Sequence, residues 1–220
     1  MPEIFRKRID SHSLFAIWKI QETIAELLEM ISLRKAEREL FNTFLAESRK
    51  KQWLAYRILI RSMLEPENYP VEYNASGKPF LAGSRYHISV THSGDLAAVI
   101  MSSSGSVGID IEKVRPRILK VVDKYLHESE LLQPGARNNC TLLTMAWCGK
   151  EALYKLYGHR NLDFKQNIRL ELPEPDPSCE FRGEIRKGSD HQVYQLVSEQ
   201  FDDYILVYVT EPEGQSSLFS

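Results

Sequence analysis

Apolar and polar positions alternate, or recur at helical spacing, along nearly the whole chain. "HSLFAIWKI" (12–20) is rich in aromatic and β-branched residues and predicts a strand. "ETIAELLEMISLRKAERELFNTFL" has helical spacing in two pieces, and "ESRKKQWLAYRILIRSML" (47–64) predicts a longer amphipathic helix. In that helix Trp53, Ala55, Ile58 and Leu59 are set to face a core, while Arg49, Lys50, Arg57 and Arg61 contribute positive charge. "EPENYP" ends it, because proline cannot continue a helix. "VEYNASGKPFLAG" predicts a hairpin turning at Asn74, Ser76 and Gly77.

Three strands follow in close succession: "RYHISVTH", the apolar run "DLAAVIMS" and "SVGIDIEKV", with turns at Gly94-Asp95 and Ser104-Gly105. A helix is expected around "RILKVVDKYLHESELLQ". Another is expected over "CTLLTMAWCGKEALYKLYG", with Asn139 as N-cap and Gly158 as its stop. "QNIRLEL", "EFRGEIRK", "QVYQLVSE" and "DYILVYVT" read as strands, "PEPDPS" (173–178) as an exposed loop and "EPEGQSSLFS" as a loose tail. Helices and strands come in runs rather than in strict alternation, which implies an α+β fold with antiparallel sheets. The two stretches 1–105 and 106–220 have similar content, so two similar α+β halves are expected from element order.

Composition narrows the setting. The 220 residues, 43% apolar, suffice for a substantial core. With 28 Lys and Arg against 30 Asp and Glu, the formal charge of −2 gives no global preference for nucleic acid or an anionic membrane. Three cysteines without a C-x-x-C pair fit a reducing compartment. No secretory leader is visible after "MPEIFRKRID", and no apolar run approaches the roughly 18–20 residues that span a bilayer. A cytoplasmic protein without membrane or nucleic-acid partners is expected.

The chemistry concentrates in four stretches. In "VGIDIE" the carboxylates of Asp110 and Glu112 share one strand face, their Cα atoms roughly 6–7 Å apart. Alone this is the pattern of a solvated sheet face, but two such anions repel unless a positive group sits between them. In "WCGKEALYKLYG", Trp147, Glu151 and Lys155 recur every four residues, so indole, carboxylate and ammonium stack on one helix face. Gly149, unfavourable in a helix interior, suggests close approach of another backbone or a ligand. "THSGD" offers His92 and Ser93 at a strand end, and "GKP" holds Lys78 in a fixed loop with its ammonium free.

In this order and spacing, "GKP", "THSG", "VGIDIE" and "WCGKEALYK" resemble the 4′-phosphopantetheinyl transferase superfamily, in its larger, monomeric type with two halves forming a pseudo-dimer. The resemblance is strongest from Gly77 to Gly158 and weak beyond about residue 165. Two departures stand out: Thr91 where the family usually has Ser, with Ser89 often Asn, and Cys148-Gly149 where Thr-Ala is usual. Neither removes an acidic or basic group.

The resemblance implies transfer of the phosphopantetheine arm of coenzyme A to a serine of an apo carrier protein, with release of 3′,5′-ADP. It implies a Mg²⁺ ion (Mn²⁺ as an alternative) on Asp110, Glu112 and Glu151, with Glu151 also a candidate base. Lys155 is expected on the pyrophosphate, with help from Lys150. Lys78, His92, Ser93 and a basic residue of the helix near Arg49 are expected toward the 3′-phosphate, and the coenzyme between the two halves. A non-catalytic binder of coenzyme A or carrier protein is the rival, against which the retained carboxylates and Lys155 argue. A two-metal phosphoesterase lacks its set of His and Asp ligands in this sequence.

Overall fold

The computed structural model describes residues 3–131, 135–173, 176 and 178–211. The chain opens with β1 (Glu3–Arg8) and β2 (Ser13–Lys19), then α1 (Ile24–Glu29), α2 (Lys35–Thr43) and α3 (Glu47–Leu64). A small hairpin, β3 (Val71–Tyr73) and β4 (Pro79–Leu81), precedes β5 (His87–Ser93), β6 (Leu96–Ser102) and β7 (Val107–Lys113). A short helix α4 (Val122–Tyr125) lies among 3₁₀ turns, followed by α5 (Cys140–Tyr157) and the strands β8 (Ile168–Glu171), β9 (Glu180–Lys187), β10 (Asp190–Phe201) and β11 (Tyr204–Thr210).

The larger strands form two antiparallel sheets, ordered β1-β2-β6-β5 and β7-β11-β10-β9-β8. Alternation along the central strands explains how they stack. On β6, Ala97, Val99 and Met101 pack with Trp53, Leu54 and the rest of the α3 face. Leu96, Ala98 and Ile100 point the other way and meet Val107, Ile109 and Ile111 of β7 and Leu206 and Tyr208 of β11. On β11, Ile205, Val207 and Val209 turn to α5. The layers therefore run α3, sheet, sheet, α5. Strands buried on both faces need no polar side, which is why "DLAAVIMS" and "DYILVYVT" read as nearly continuous apolar runs. The fold is α+β, as the runs of elements implied, and no helix among the described residues is long and apolar enough to cross a membrane.

Several local expectations are corrected. The charged segment "EIFRKR" forms β1, a strand at the sheet edge, where polar side chains are tolerated. The helix expected over "RILKVVDKYLHESELLQ" is broken into short pieces. The His127 side chain accepts from Ser129 N and the Glu130 carboxylate from His127 N, so local side chains satisfy the backbone in place of a continuing helix. Arg57 is no surface cation: it is 3% exposed, its guanidinium 3.9 Å from the Trp53 ring centroid and facing Glu37. The nearest neighbours of Gly149 are side chains. A Cβ there would lie 3.2 Å from Leu170 Cδ1 and Phe181 Cζ, so the helix packs closely on side chains of β8 and β9. The loop expected at 173–178 falls partly, and the tail beyond 211 wholly, outside the described residues.

Candidate active site

A cleft of about 450 Å³ opens beside the seam between the two sheets. α3 contributes Arg49 and Tyr56, the β3–β4 hairpin Tyr73 and Lys78, β5 Thr91 and His92, β7 Asp110 and Glu112, and α5 Trp147, Glu151, Tyr154 and Lys155. Both ends of α5 are fixed. The Asn139 side chain accepts from Leu142 N, and Gly158, at φ 74°, closes the helix in the left-handed region. Trp147 lines the cleft and also packs edge-on to Tyr125 at 5.2 Å. Turned by its spacing of four, the same helix face carries Glu151 and Lys155 to the strand β7.

Gly108, Asp110 and Glu112 face α5, while Val107, Ile109 and Ile111 fill the core between the sheets. Asp110 is only 5% exposed. Its Oδ1 accepts from Thr91 Oγ1 and from Lys155 Nζ, each at 2.8 Å, and its Oδ2 is buried without a hydrogen-bond partner. Lys155 Nζ also donates to Ile109 O at 3.0 Å. The positive group beside Asp110 in the chain itself is thus Lys155.

Ser93 Oγ donates to Glu112 Oε2 at 2.7 Å. Burial raises the Glu112 pKa, and the Asp110 charge adds to the shift. Burial, then Asp110, pushes the Glu151 carboxyl up to about 7, with Lys155 pulling the other way. Asp110, Glu112 and Glu151 line one cleft, yet among the described residues no three acidic, His or Cys side chains are disposed as a ready metal cage. Lys155 already occupies one oxygen of the set.

Also lining the cleft, Arg49 Nη1 lies 2.6 Å from His92 Nε2. A guanidinium can only donate, so Nε2 is the acceptor and the ring is neutral. Burial and the cations Arg49 and Lys155 lower the His92 pKa in keeping with this. The expected positive charge at His92 is therefore carried by Arg49. Lys78 Nζ reaches Leu156 O at 3.3 Å, and burial pulls its pKa down to about 8. Tyr56 and Tyr73 close the wall with hydroxyls 2.6 Å apart.

Two expected residues are not brought to the cleft as ligands. Lys150 is fully buried, and Nζ donates at 2.8 Å to Glu130 Oε2, Phe164 O and Ile168 O. Three acceptors use its three protons, so none is left for a coenzyme. The hydroxyl proton of Ser93 is committed to Glu112 rather than to an outside phosphate. Sequence reasoning missed Thr91 as a partner of Asp110, and also Tyr56, Tyr73 and Gly108. It also left Arg49 as one of several basic candidates. A second groove of about 360 Å³ shares Glu112 and Trp147 with the cleft and is rimmed by Lys113, Arg115, Arg117 and Lys120 around Ile118 and Val121.

Comparison with known proteins gives the same direction. Residues 106–209 match the model of the 4′-phosphopantetheinyl transferase superfamily. The 4′-phosphopantetheinyl transferase AcpT of Salmonella typhi is 34% identical over 116 residues, 50% of this chain and 60% of that protein. The 4′-phosphopantetheinyl transferase psf-1 of Bacillus pumilus is 29% identical over 181 residues, 72% of this chain and 76% of that protein. The chain thus spans about three fifths of the length of its Salmonella relative.

Proposed function

We propose, from the match of residues 106–209 to the model of the 4′-phosphopantetheinyl transferase superfamily, that this chain transfers the phosphopantetheine arm of coenzyme A to a serine of an apo carrier protein. One observation carries the reading: β7 and α5 bring Asp110, Glu112, Glu151 and Lys155 to one wall of a cleft whose other walls hold Arg49, Lys78 and His92. Carboxylates and cations lining one cleft suit a ligand with a reacting pyrophosphate and a further phosphate.

In the reaction the serine oxygen bonds to the β-phosphorus of coenzyme A, the bond from that phosphorus to the bridging oxygen breaks, and 3′,5′-ADP leaves. Such transfer is mostly positioning and charge stabilisation. Glu151, beside Lys155 on the same helix face, is the acceptor we assign to the serine proton; with no cation bound, burial and the Asp110 charge push its carboxyl up to about 7. Lys155, held by Asp110 and Ile109 O, keeps a third proton for a phosphate oxygen. Arg49 and Lys78 supply charge for the 3′-phosphate, and His92 holds the Arg49 guanidinium through Nε2.

The carboxylates also fit a divalent cation. They are hard oxygen donors, Asp110 Oδ2 is buried without a partner, and mutual repulsion contributes to the raised pKa of Glu112 and Glu151. Asp110, Glu112 and Glu151 would hold Mg²⁺, or Mn²⁺ with the same oxygen preference. When bound, the ion supplies neutralisation of the pyrophosphate charge. We assign the carrier to the neighbouring basic groove, which shares Glu112 and Trp147 with the cleft. The same reading takes the chain to act as a monomer, and three free cysteines support a cytoplasmic setting.

The test is mass spectrometry after mixing the protein, Mg²⁺, coenzyme A and apo carrier. The expected result is a carrier heavier by one phosphopantetheine. Coenzyme cleaved with the carrier unchanged would point to hydrolysis, and both unchanged would leave only a binding protein.

A further inference from the structure

β5 and β7 are edge strands of different sheets that pack side by side. They are not ladder partners, so the outward N–H groups of β7 need other acceptors. Side-chain hydroxyls of β5 supply them in register. Ser89 Oγ accepts from Ile109 N, Thr91 Oγ1 from Ile111 N and Ser93 Oγ from Lys113 N, each at 3.3 Å. A hydroxyl that accepts still has one proton to give. Thr91 gives its proton to Asp110 Oδ1 and Ser93 to Glu112 Oε2, at 2.8 and 2.7 Å. Both strands have a repeat of two, so a single register satisfies the seam and meets both carboxylates. The rung at Ser89 faces no carboxylate, because the corresponding β7 residue is Gly108.

We infer that Thr91 and Ser93 are positioning residues, whose hydroxyls hold the Asp110 and Glu112 carboxylates in working orientation toward Glu151 and Lys155 while locking the two sheets together. A carboxylate otherwise turns freely about its last bond. A charge-assisted O–H donor on one oxygen fixes which oxygen is committed and which remains available. At Asp110, Thr91 and Lys155 share Oδ1, and Oδ2 is left as the atom without a donor. The inference rests on the proposed function only in taking these carboxylates as the divalent-cation site. It also explains why Thr is acceptable at position 91: the hydroxyl is what the site uses.

Three variants separate positioning from a merely structural seam. Thr91→Val keeps the shape and removes both hydrogen bonds, Thr91→Ser keeps the hydroxyl, and Ser93→Ala removes the second donor at a less buried place. The readout is Mn²⁺ binding by electron paramagnetic resonance with coenzyme A present, beside circular dichroism for the fold. Loss of an outer-shell hydrogen bond to a metal ligand weakens the metal about 10–100-fold, so Thr91→Val and Ser93→Ala should each weaken Mn²⁺ by that much. Thr91→Ser should stay within about threefold of the parent on the same ground. If Thr91→Val does not fold, Ser93→Ala against the parent decides. Folded variants that bind Mn²⁺ like the parent, or a Thr91→Ser loss as large as that of Thr91→Val, would overturn the inference and leave the proposed transfer standing. A parent that binds no Mn²⁺ would overturn the cation site and the inference with it.

Discussion

Gly108 sits so close under α5 that a Cβ at this position would lie 1.9 Å from the carbonyl oxygen of Ala152. Helix and strand meet main chain to main chain at this point, and that contact sets the height of Lys155 above Asp110. Gly108→Ala cannot be absorbed by a side-chain rotation, since the obstacle is backbone. It should push α5 off β7, cost about 1–3 kcal/mol or more as overpacking does, and break the Lys155–Asp110 contact. Urea unfolding together with carrier loading checks this; a variant as stable and as active as its parent would show that the helix has room to move.

Lys150 and Glu130 form an ion pair with side chains 0% and 2% exposed. Glu130 also accepts from His127 N and Leu170 N, so the pair ties α5 to β8 and to the turn before it. Lys150→Met leaves a buried carboxylate without its cation, which typically costs about 3–5 kcal/mol. Coenzyme A affinity of the folded fraction should remain close to that of the parent. Unchanged stability with lost coenzyme affinity would restore Lys150 as a ligand.

The Glu151 carboxyl has its pKa raised in the folded state from 4.5 to about 7 by burial and by the Asp110 and Glu112 charges. The folded protein holds this proton more tightly than the unfolded chain does. Its contribution to stability is therefore fully present below about 4.5 and is lost as pH rises through about 7. Glu112, also raised, acts in the same sense, whereas His87 and His92, lowered by burial, lose stability as pH falls. The difference between the parent and Glu151→Gln isolates the first effect. Without divalent metal, the parent should lose stability relative to the variant between about pH 5 and about pH 8. Parallel stability curves would contradict the buried, raised carboxyl.

Much of this was legible in the sequence where one periodicity decides. The recurrence of Trp147, Glu151 and Lys155 placed three cleft residues on one helix face, and alternation in "VGIDIE" placed Asp110 and Glu112 together. What escaped depends on contacts between distant segments. Thr91 and Asp110 are 19 residues apart, and nothing local marks a hydroxyl on one edge strand as the partner of a carboxylate on another. Lys150 did carry a signal: Ala146, four residues earlier, and Leu153, three later, are fully buried, so its helix face points inward. Its partner Glu130 lies in the segment read as a continuous helix, which hid the pair. β1 was missed because an edge strand can be charged and still pair.

The account turns on carboxylates that serve different parts of one transfer, and transfer rate against Mg²⁺ concentration tests it most directly. The proteins to compare are the parent, Asp110→Ala and Glu151→Gln, with mass spectrometry following the carrier. Asp110→Ala removes a hard oxygen ligand, so raising Mg²⁺ should recover part of its rate. Glu151→Gln keeps size and one oxygen but accepts no proton. Its rate should fall by about 10²–10⁴-fold, the usual range for a general base, with little recovery as Mg²⁺ rises. Full recovery of Glu151→Gln by metal would reduce Glu151 to a ligand, and near-parental rates in both variants at all Mg²⁺ concentrations would contradict the carboxylate site as a whole.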